Sequence, residues 1–335
     1  MTFQTEILVE VTRGGRVESE HRGAIAVVDA AGKLIAYAGD VQLVSYLRSS
    51  AKPFQLLPLI ESGAADRFSF TDAELAIIAG SHSGEPRHVA AVQSILNKIG
   101  LSESALQCGI HVPFSPGAVK ALRDAGRDPT ELYNNCSGKH AGMLAQAIDR
   151  GLSTTDYLDP QHPVQLAIRQ RLAELGEIAA DQIDVGVDGC SAPCFAMPLR
   201  ASALAFAKLA DAKAGPLQRV ARVMMTYPEM VVGEGRLDTD LMRAAPGLVV
   251  SKGGAEGYHG MGLVAENGPA LGVAIKIGDG DGRRGGHPVV IEVLRQLGVL
   301  DEAALAALQS YRTWKITNHR GLEVGEVRAN FRVHS

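Results

Sequence analysis

The sequence predicts an α/β protein of the α+β type: one antiparallel sheet built from N- and C-terminal strands, with a central helical layer between them. Three observations carry that prediction. The opening segment through Ala38 alternates like strands, the apolar spacing turns helical after Ser49, and strand patterns return from Leu248. No internal repeat or low-complexity linker interrupts the sequence, so a single domain over residues 1–335 is expected.

In chain order, Ile7-Leu8-Val9-Glu10-Val11 reads as a strand and Arg13-Gly14-Gly15-Arg16 as the turn after it. Ala24 to Val28 and Lys33 to Ala38 follow, separated by Asp29-Ala30-Ala31-Gly32, which makes an antiparallel meander. Phe54, Leu56, Leu57, Leu59 and Ile60 fit a helix, with Ser49 as a natural N-cap and Gly63 able to close the C-terminus. From about Thr71 to about Leu209 the pattern is mainly helical. It is clearest at Thr71-Asp72-Ala73-Glu74, His88 to Leu101, Ser115 to Ala125 and Val164 to Leu175. Strand signals resume at Leu248-Val249-Val250, Gly262 to Ala265 and Ala270 to Ile277, with Asn267-Gly268 as the hairpin turn between the last two. A helix near His287 to Leu297 and a strand around Glu323 to Val333 complete the series.

Hydrophobic residues make up 46% of the 335 and charged residues 21%, enough to build a full core. The net charge of −4 comes with no Lys/Arg-rich run, which argues against nucleic acid and anionic membrane as partners. The N-terminal MTFQTEILVEVTRGGRVESE lacks the apolar core of a signal peptide. No stretch approaches the roughly 20 apolar residues of a membrane helix, so the cytoplasm is the expected location. The four cysteines, Cys108, Cys136, Cys190 and Cys194, read as reduced thiols, with or without a metal, and not as a disulfide framework.

Four short clusters place polar residues where packing does not ask for them: RSSAKP (Arg48 to Pro53), GSHSGE (Gly80 to Glu85), NNCSGKH (Asn134 to His140) and DGCSAP (Asp188 to Pro193). A fifth, SKGGAEG (Ser251 to Gly257), follows an apolar strand. At a helix start, residues three apart share a face, so the Ser49 hydroxyl and the Lys52 amine can touch. A serine hydroxyl is a weak nucleophile at neutral pH. A lysine amine serves as its base when burial or nearby positive charge lowers the amine's pKa. The competing reading is a capping serine beside a solvated lysine. Penicillin-interacting enzymes that use Ser-x-x-Lys add a second serine from a loop and a Lys-Thr-Gly on a strand. Here Ser81-His82-Ser83 and Lys252-Gly253-Gly254 follow in that order, with Gly in place of Thr. Lys252 would raise the local positive potential, depress the pKa of Lys52 and orient a second hydroxyl; an exposed turn lysine would do none of these.

Cys136 and Cys190 both sit in Gly-flanked polar loops. Thiolates with imidazole or carboxylate are ordinary zinc ligands, but the spacing is not a paired C-x-x-C pattern, and two buried structural cysteines are the alternative. Cys108 and Cys194 read as packing residues.

Taken together and in this order, RSSAKP, GSHSGE, NNCSGKH, DGCSAP and KGGAEG make the chain resemble the L-asparaginase II family of the rhizobial type. The resemblance runs from the N-terminal meander to Val324–Arg328. It implies hydrolysis of L-asparagine to L-aspartate and ammonia, a fold like that of serine β-lactamases and glutaminases, and a homodimer. Residue by residue, it implies two serine–lysine tandems, Ser49 with Lys52 and Ser81 with Lys252. It also implies zinc on Cys136, Lys139 and Cys190 with water completing the shell, and substrate contacts at Arg48, His140 and Asp188. A lysine ligand must bind as neutral amine, giving up a proton held with a reference pKa near about 10.4, so modest zinc affinity follows. One rival is a serine-dependent glutaminase, whose substrate is one methylene longer. Another is a non-catalytic zinc- or amino-acid-binding protein, against which two candidate bases argue. A β-lactamase-like peptidase would need export to meet its substrates.

Overall fold

A computed structural model describes residues 4–265 and 268–335, so the expected turn at Asn267-Gly268 begins outside the described residues. The strands are β1 (Glu6–Arg13), β2 (Arg16–Asp29), β3 (Leu34–Ala38), β4 (Val44–Tyr46), β5 (Asp184–Val187) and β6 (Pro193–Pro198). After them come β7 (Val249–Gly253), β8 (Tyr258–Leu263), β9 (Leu271–Ile277), β10 (Thr313–Thr317) and β11 (Glu323–Ala329). The chain forms two compact units. Met1–Ser50, Met197–Asp211 and Asp240–Ser335 make the first; Ala51–Ala196 and Ala212–Thr239 make the second.

The first unit is built on an eight-stranded sheet ordered β10-β11-β1-β2-β9-β8-β7, with β3 also on β2. Every pairing along it is antiparallel. Strands from the two chain ends share this sheet as the sequence predicts: Val9 faces Ala329 on one side and His21 on the other, and Ile25 faces Ile275. Ala24 to Val28 are fully buried, which explains why β2 reads there as a continuous apolar run and not an alternating one. The helix Leu199–Asp211 lies close over β8 and β9 because glycines clear the way. A Cβ at Gly272 would stand 1.8 Å from the Ala203 carbonyl oxygen, and one at Gly260 would stand 2.0 Å from the Phe206 ring. The helix His287–Gln296 follows the expected span.

Two boundaries and one strand differ from the sequence reading in this unit. β8 starts at Tyr258 and not at Gly262, its glycines having hidden the pattern. The last strand ends at Ala329, short of Val333. β10 was not expected, although Thr313-Trp314-Lys315-Ile316-Thr317 carries β-branched and aromatic residues.

The second unit is mainly helical. Its helix Lys52–Glu61 is closed as expected by Gly63, which has φ +76° and donates its N–H to the Ile60 carbonyl. Its start corrects the sequence reading: the N-cap is Ala51, with no side-chain cap, and Ser49 lies in the 3-10 turn Arg48–Ala51. The helix Asp72–Ile78 opens with a capping box, in which Thr71 N–H donates to Glu74 Oε2 at 2.6 Å and Glu74 N–H donates back to Thr71 Oγ1 at 3.3 Å. The helices Pro86–Lys98, Pro116–Asp124 and Pro163–Gly176 match the expected pieces to within a few residues, each with a proline in its first turn.

At the centre of this unit is the helix Ser137–Asp149, buried from Ser137 through Ala147 and packed against Lys52–Glu61, Asp72–Ile78 and Pro86–Lys98. Gly138 and Gly142 permit that packing. A Cβ at either would come within 2.5 Å of Ile77 O or Ile78 Cγ2. β5 and β6 form a hairpin from Asp184↔Ala196 to Val187↔Pro193 where the sequence reading expected helix. Among the described residues, no helix is long and apolar enough to cross a membrane.

Candidate active site

Lys52 begins its helix almost wholly buried, 1% exposed. The alternative of a capping serine with a solvated lysine therefore fails on both counts. The Lys52 amine donates to Ser81 Oγ at 2.8 Å and to the Asn135 carbonyl at 3.3 Å. Burial lowers its pKa, with the Cys136 sulfur opposing and the Lys139 charge adding to the fall. Ser81 is set by its backbone: its N–H donates to Val231 O at 2.6 Å, and a Cβ on the preceding Gly80 would lie 2.6 Å from the same oxygen. Only glycine lets the GSHSGE loop run this close to Val231.

The NNCSGKH cluster is folded by its first asparagine. Asn134 Nδ2 donates to the Cys108 and Gly109 carbonyls, both at 2.9 Å, and its Oδ1 accepts from Cys136 N–H at 2.8 Å. Cys136 caps the central helix, and Lys139 and His140 fall in its first turn. Asp188 and Cys190 come from the β5–β6 turn, tightened by Asp188 N–H to Ala192 O at 2.9 Å and by Ser191 at φ +68°.

These loops bring together the three residues that the resemblance assigns to zinc. Lys139 Nζ donates to Cys190 Sγ at 3.0 Å, and the Cys136 and Cys190 thiols are hydrogen-bonded to each other. All three residues are at most 5% exposed. The bond to Cys190 holds the Cys136 thiol well below its usual range; burial opposes this, and the Lys52 and Lys139 charges reinforce it. The same bond, with burial, pushes Cys190 up. Burial works against the charge on Lys139, but the two sulfurs outweigh it and raise that pKa. Two sulfurs and an amine are a chemically reasonable donor set for zinc. Among the described residues, no group of three or more His, Cys, Asp or Glu is arranged to hold a metal. Cys108 and Cys194 are buried, as expected of packing residues, and burial pushes the Cys108 thiol up to about 12.

His140 is fully buried, with Nδ1 2.7 Å from the Tyr157 hydroxyl. Burial, then the Lys139 and Lys52 charges, depress its pKa well below the ordinary value. Asp188 is half-buried and contributes to the charge around Lys139.

In the first unit, Arg48 adopts φ +52° and Ser49 is half-buried. Ser50, which the sequence reading passed over, is fully buried and donates its hydroxyl proton to the Lys252 carbonyl at 2.6 Å. A Cβ on Gly254 would lie 2.6 Å from Leu47 O, so the turn carrying Ser49 sits directly against the end of β7. Lys252 is 1% exposed and donates to the Gly253 carbonyl at 2.6 Å. In the first unit the Ser50 hydroxyl meets the Lys252 carbonyl, and in the second the Lys52 amine meets the Ser81 hydroxyl.

The sequence matches the L-asparaginase II family model over residues 9–329. No curated protein matches it. Among solved structures, the chain is similar to Mglu in its native form, at 14% identity and a TM-score of 0.43, covering 85% of this chain and 66% of that one. It is also similar to a Bacillus glutaminase, at 12% identity and a TM-score of 0.40, covering 83% and 91%. The chain thus spans about two thirds of the Mglu chain, and at these TM-scores nothing is carried over from either structure.

Proposed function

Because the chain belongs to the L-asparaginase II family, we propose that it hydrolyses L-asparagine to L-aspartate and ammonia by serine–lysine acyl transfer. The observation that carries this chemistry is the Lys52 amine, buried and hydrogen-bonded to a serine hydroxyl and a backbone carbonyl. A lysine in such surroundings favours its neutral, basic form.

In the proposed sequence, Ser49 Oγ attacks the carboxamide carbon, and Lys52, three residues on, takes its proton. Backbone N–H groups at the helix start stabilise the oxyanion, a contribution of about 3–4 kcal/mol per good donor in comparable sites. The Lys52–Ser81 hydrogen bond offers the next step: Ser81 passes a proton to the departing nitrogen, and ammonia leaves. Water then attacks the acyl carbon, its proton returning by the same lysine, and aspartate is released. Lys252 supports this by adding positive potential. Arg48 and Asp188 are the candidates for the substrate's carboxylate and ammonium, with His140 as a further contact. Cys136, Lys139 and Cys190 would hold zinc, which would organise the substrate end of the pocket. A homodimer in the cytoplasm is proposed on the same family grounds.

Ammonia release from asparagine by the wild type and by Ser49→Ala tests the proposal. Turnover should vanish in the variant while the fold persists, since a serine in the turn ahead of an unassisted N-cap contributes little to the helix. Near-normal turnover by folded Ser49→Ala protein would sink the mechanism and make Ser81 the preferred nucleophile.

A further inference from the structure

Four histidines are buried among the described residues of the second unit, and three of them have both ring nitrogens engaged. His82 accepts from Gly84 N–H at 3.1 Å and reaches Ser137 Oγ at 2.8 Å. His88 accepts from Glu85 N–H at 3.1 Å and donates to Glu229 O at 2.8 Å. His162 accepts from Val164 N–H at 3.2 Å and donates to Ser153 O at 3.1 Å. These three are structural. His140 differs: Nδ1 meets the Tyr157 hydroxyl, and Nε2 is buried with no hydrogen-bond partner among the described residues.

The hydrogen bonds around Tyr157 favour one placement of the protons. Its oxygen accepts from Gln107 N–H at 3.0 Å, and an amide can only donate. The arrangement that uses the hydroxyl's own proton sends it to His140 Nδ1, which then receives it with a lone pair. A ring that accepts at Nδ1 carries its proton on Nε2. Tyr157 is itself held firmly. It is fully buried, its carbonyl accepts from Gln165 Nε2 at 2.7 Å, and its ring stands edge-on to His140 at 87°. A buried N–H without an acceptor is costly unless a ligand supplies one.

We infer that Tyr157 is a positioning residue that locks His140 as the Nε2–H tautomer, so that the ring presents a ready donor to an acceptor oxygen of the substrate. The identity of that acceptor rests on the amidohydrolase reading; the tautomer does not.

Nitrogen-15 spectra of histidine-labelled protein read the tautomer directly, alongside steady-state kinetics of Tyr157→Phe. The wild type should show a protonated Nε2 and a lone-pair Nδ1 at His140. Tyr157→Phe should lose that fixed pattern and raise KM for asparagine roughly tenfold, with kcat changed much less. A protonated Nδ1 in the wild type overturns the inference without need of any variant. A folded Tyr157→Phe that loses the tautomer at unchanged KM overturns the role in binding. Wild-type inactivity toward both asparagine and glutamine overturns the amidohydrolase reading, and with it the acceptor assigned here, while the spectrum still decides the tautomer.

Discussion

A lysine amine taken out of water costs least when it gives up its proton, and Lys52 meets that condition with a hydroxyl beside it to share one. The sign of the pH dependence follows. Only the neutral amine can take the Ser49 proton, and burial lowers the pKa, so activity should climb as pH rises through that lowered value and then level off. Lys52→Met, similar in length and fit for a buried site, should fold and lose roughly a hundred- to ten-thousandfold in rate. A Lys52→Met enzyme with most of its activity and an unchanged pH profile would assign the base elsewhere. Lys52 and Ser81 stood out in the sequence as a base and a hydroxyl, but the sequence paired Lys52 with Ser49 by helical spacing, whereas the structure sets the Lys52 amine on Ser81. Ser50 and Tyr157 did not stand out, since a hydroxyl that orients a carbonyl or a ring leaves no spacing rule in the sequence.

Elements whose sequence period matched one buried face were readable, β1, β3, the capped helix after Thr71 and the helix from His287, and β2 was readable by its continuous apolar run. Where both faces are buried, or glycine replaces a side chain, the period disappears. That is why β8 was placed late, and why the central helix Ser137–Asp149, buried nearly all round and carrying glycines and polar residues, was seen as a motif and not as a helix. The hairpin β5–β6 was lost inside a segment read as helical, yet its turn delivers Asp188 and Cys190. The proposed zinc site depends on these two elements together: Cys136 and Lys139 from the start of the helix, Cys190 from the hairpin turn. Purified protein should take up zinc at micromolar supply, and Cys190→Ser should weaken that uptake roughly tenfold or more. The substitution should affect substrate affinity more than stability. Metal analysis with no zinc bound, in a protein of full activity, would remove the metal from the mechanism.

At the scale of the whole molecule, the chain crosses between its two units several times, and the family match over residues 9–329 takes in both. The sheet of the first unit depends on the most distant pairings in the sequence, Val9 with Ala329 among them; that the two ends share one antiparallel sheet was foreseen, but not which strands pair. Substrate choice also belongs to this scale, because the amino acid must be held at both ends at once. In the proposed reading, fixed charges take the α-amino and α-carboxylate groups while the side-chain carbonyl lies against Ser49. One added methylene moves that carbonyl by about 1 Å, and a misplacement of that size costs roughly a hundredfold in rate. A methylene also changes binding by about 1–3 kcal/mol, a comparable margin, so the discrimination should appear in kcat as well as in KM. Asparagine should be hydrolysed far faster than glutamine, and simple amides lacking the amino-acid head should be nearly inert. A pocket built for glutamine would reverse the order with the same catalytic residues. Comparing kcat/KM for the two amino acids decides between them: equal values, or a preference for glutamine, would overturn the asparaginase assignment and leave the serine–lysine chemistry standing.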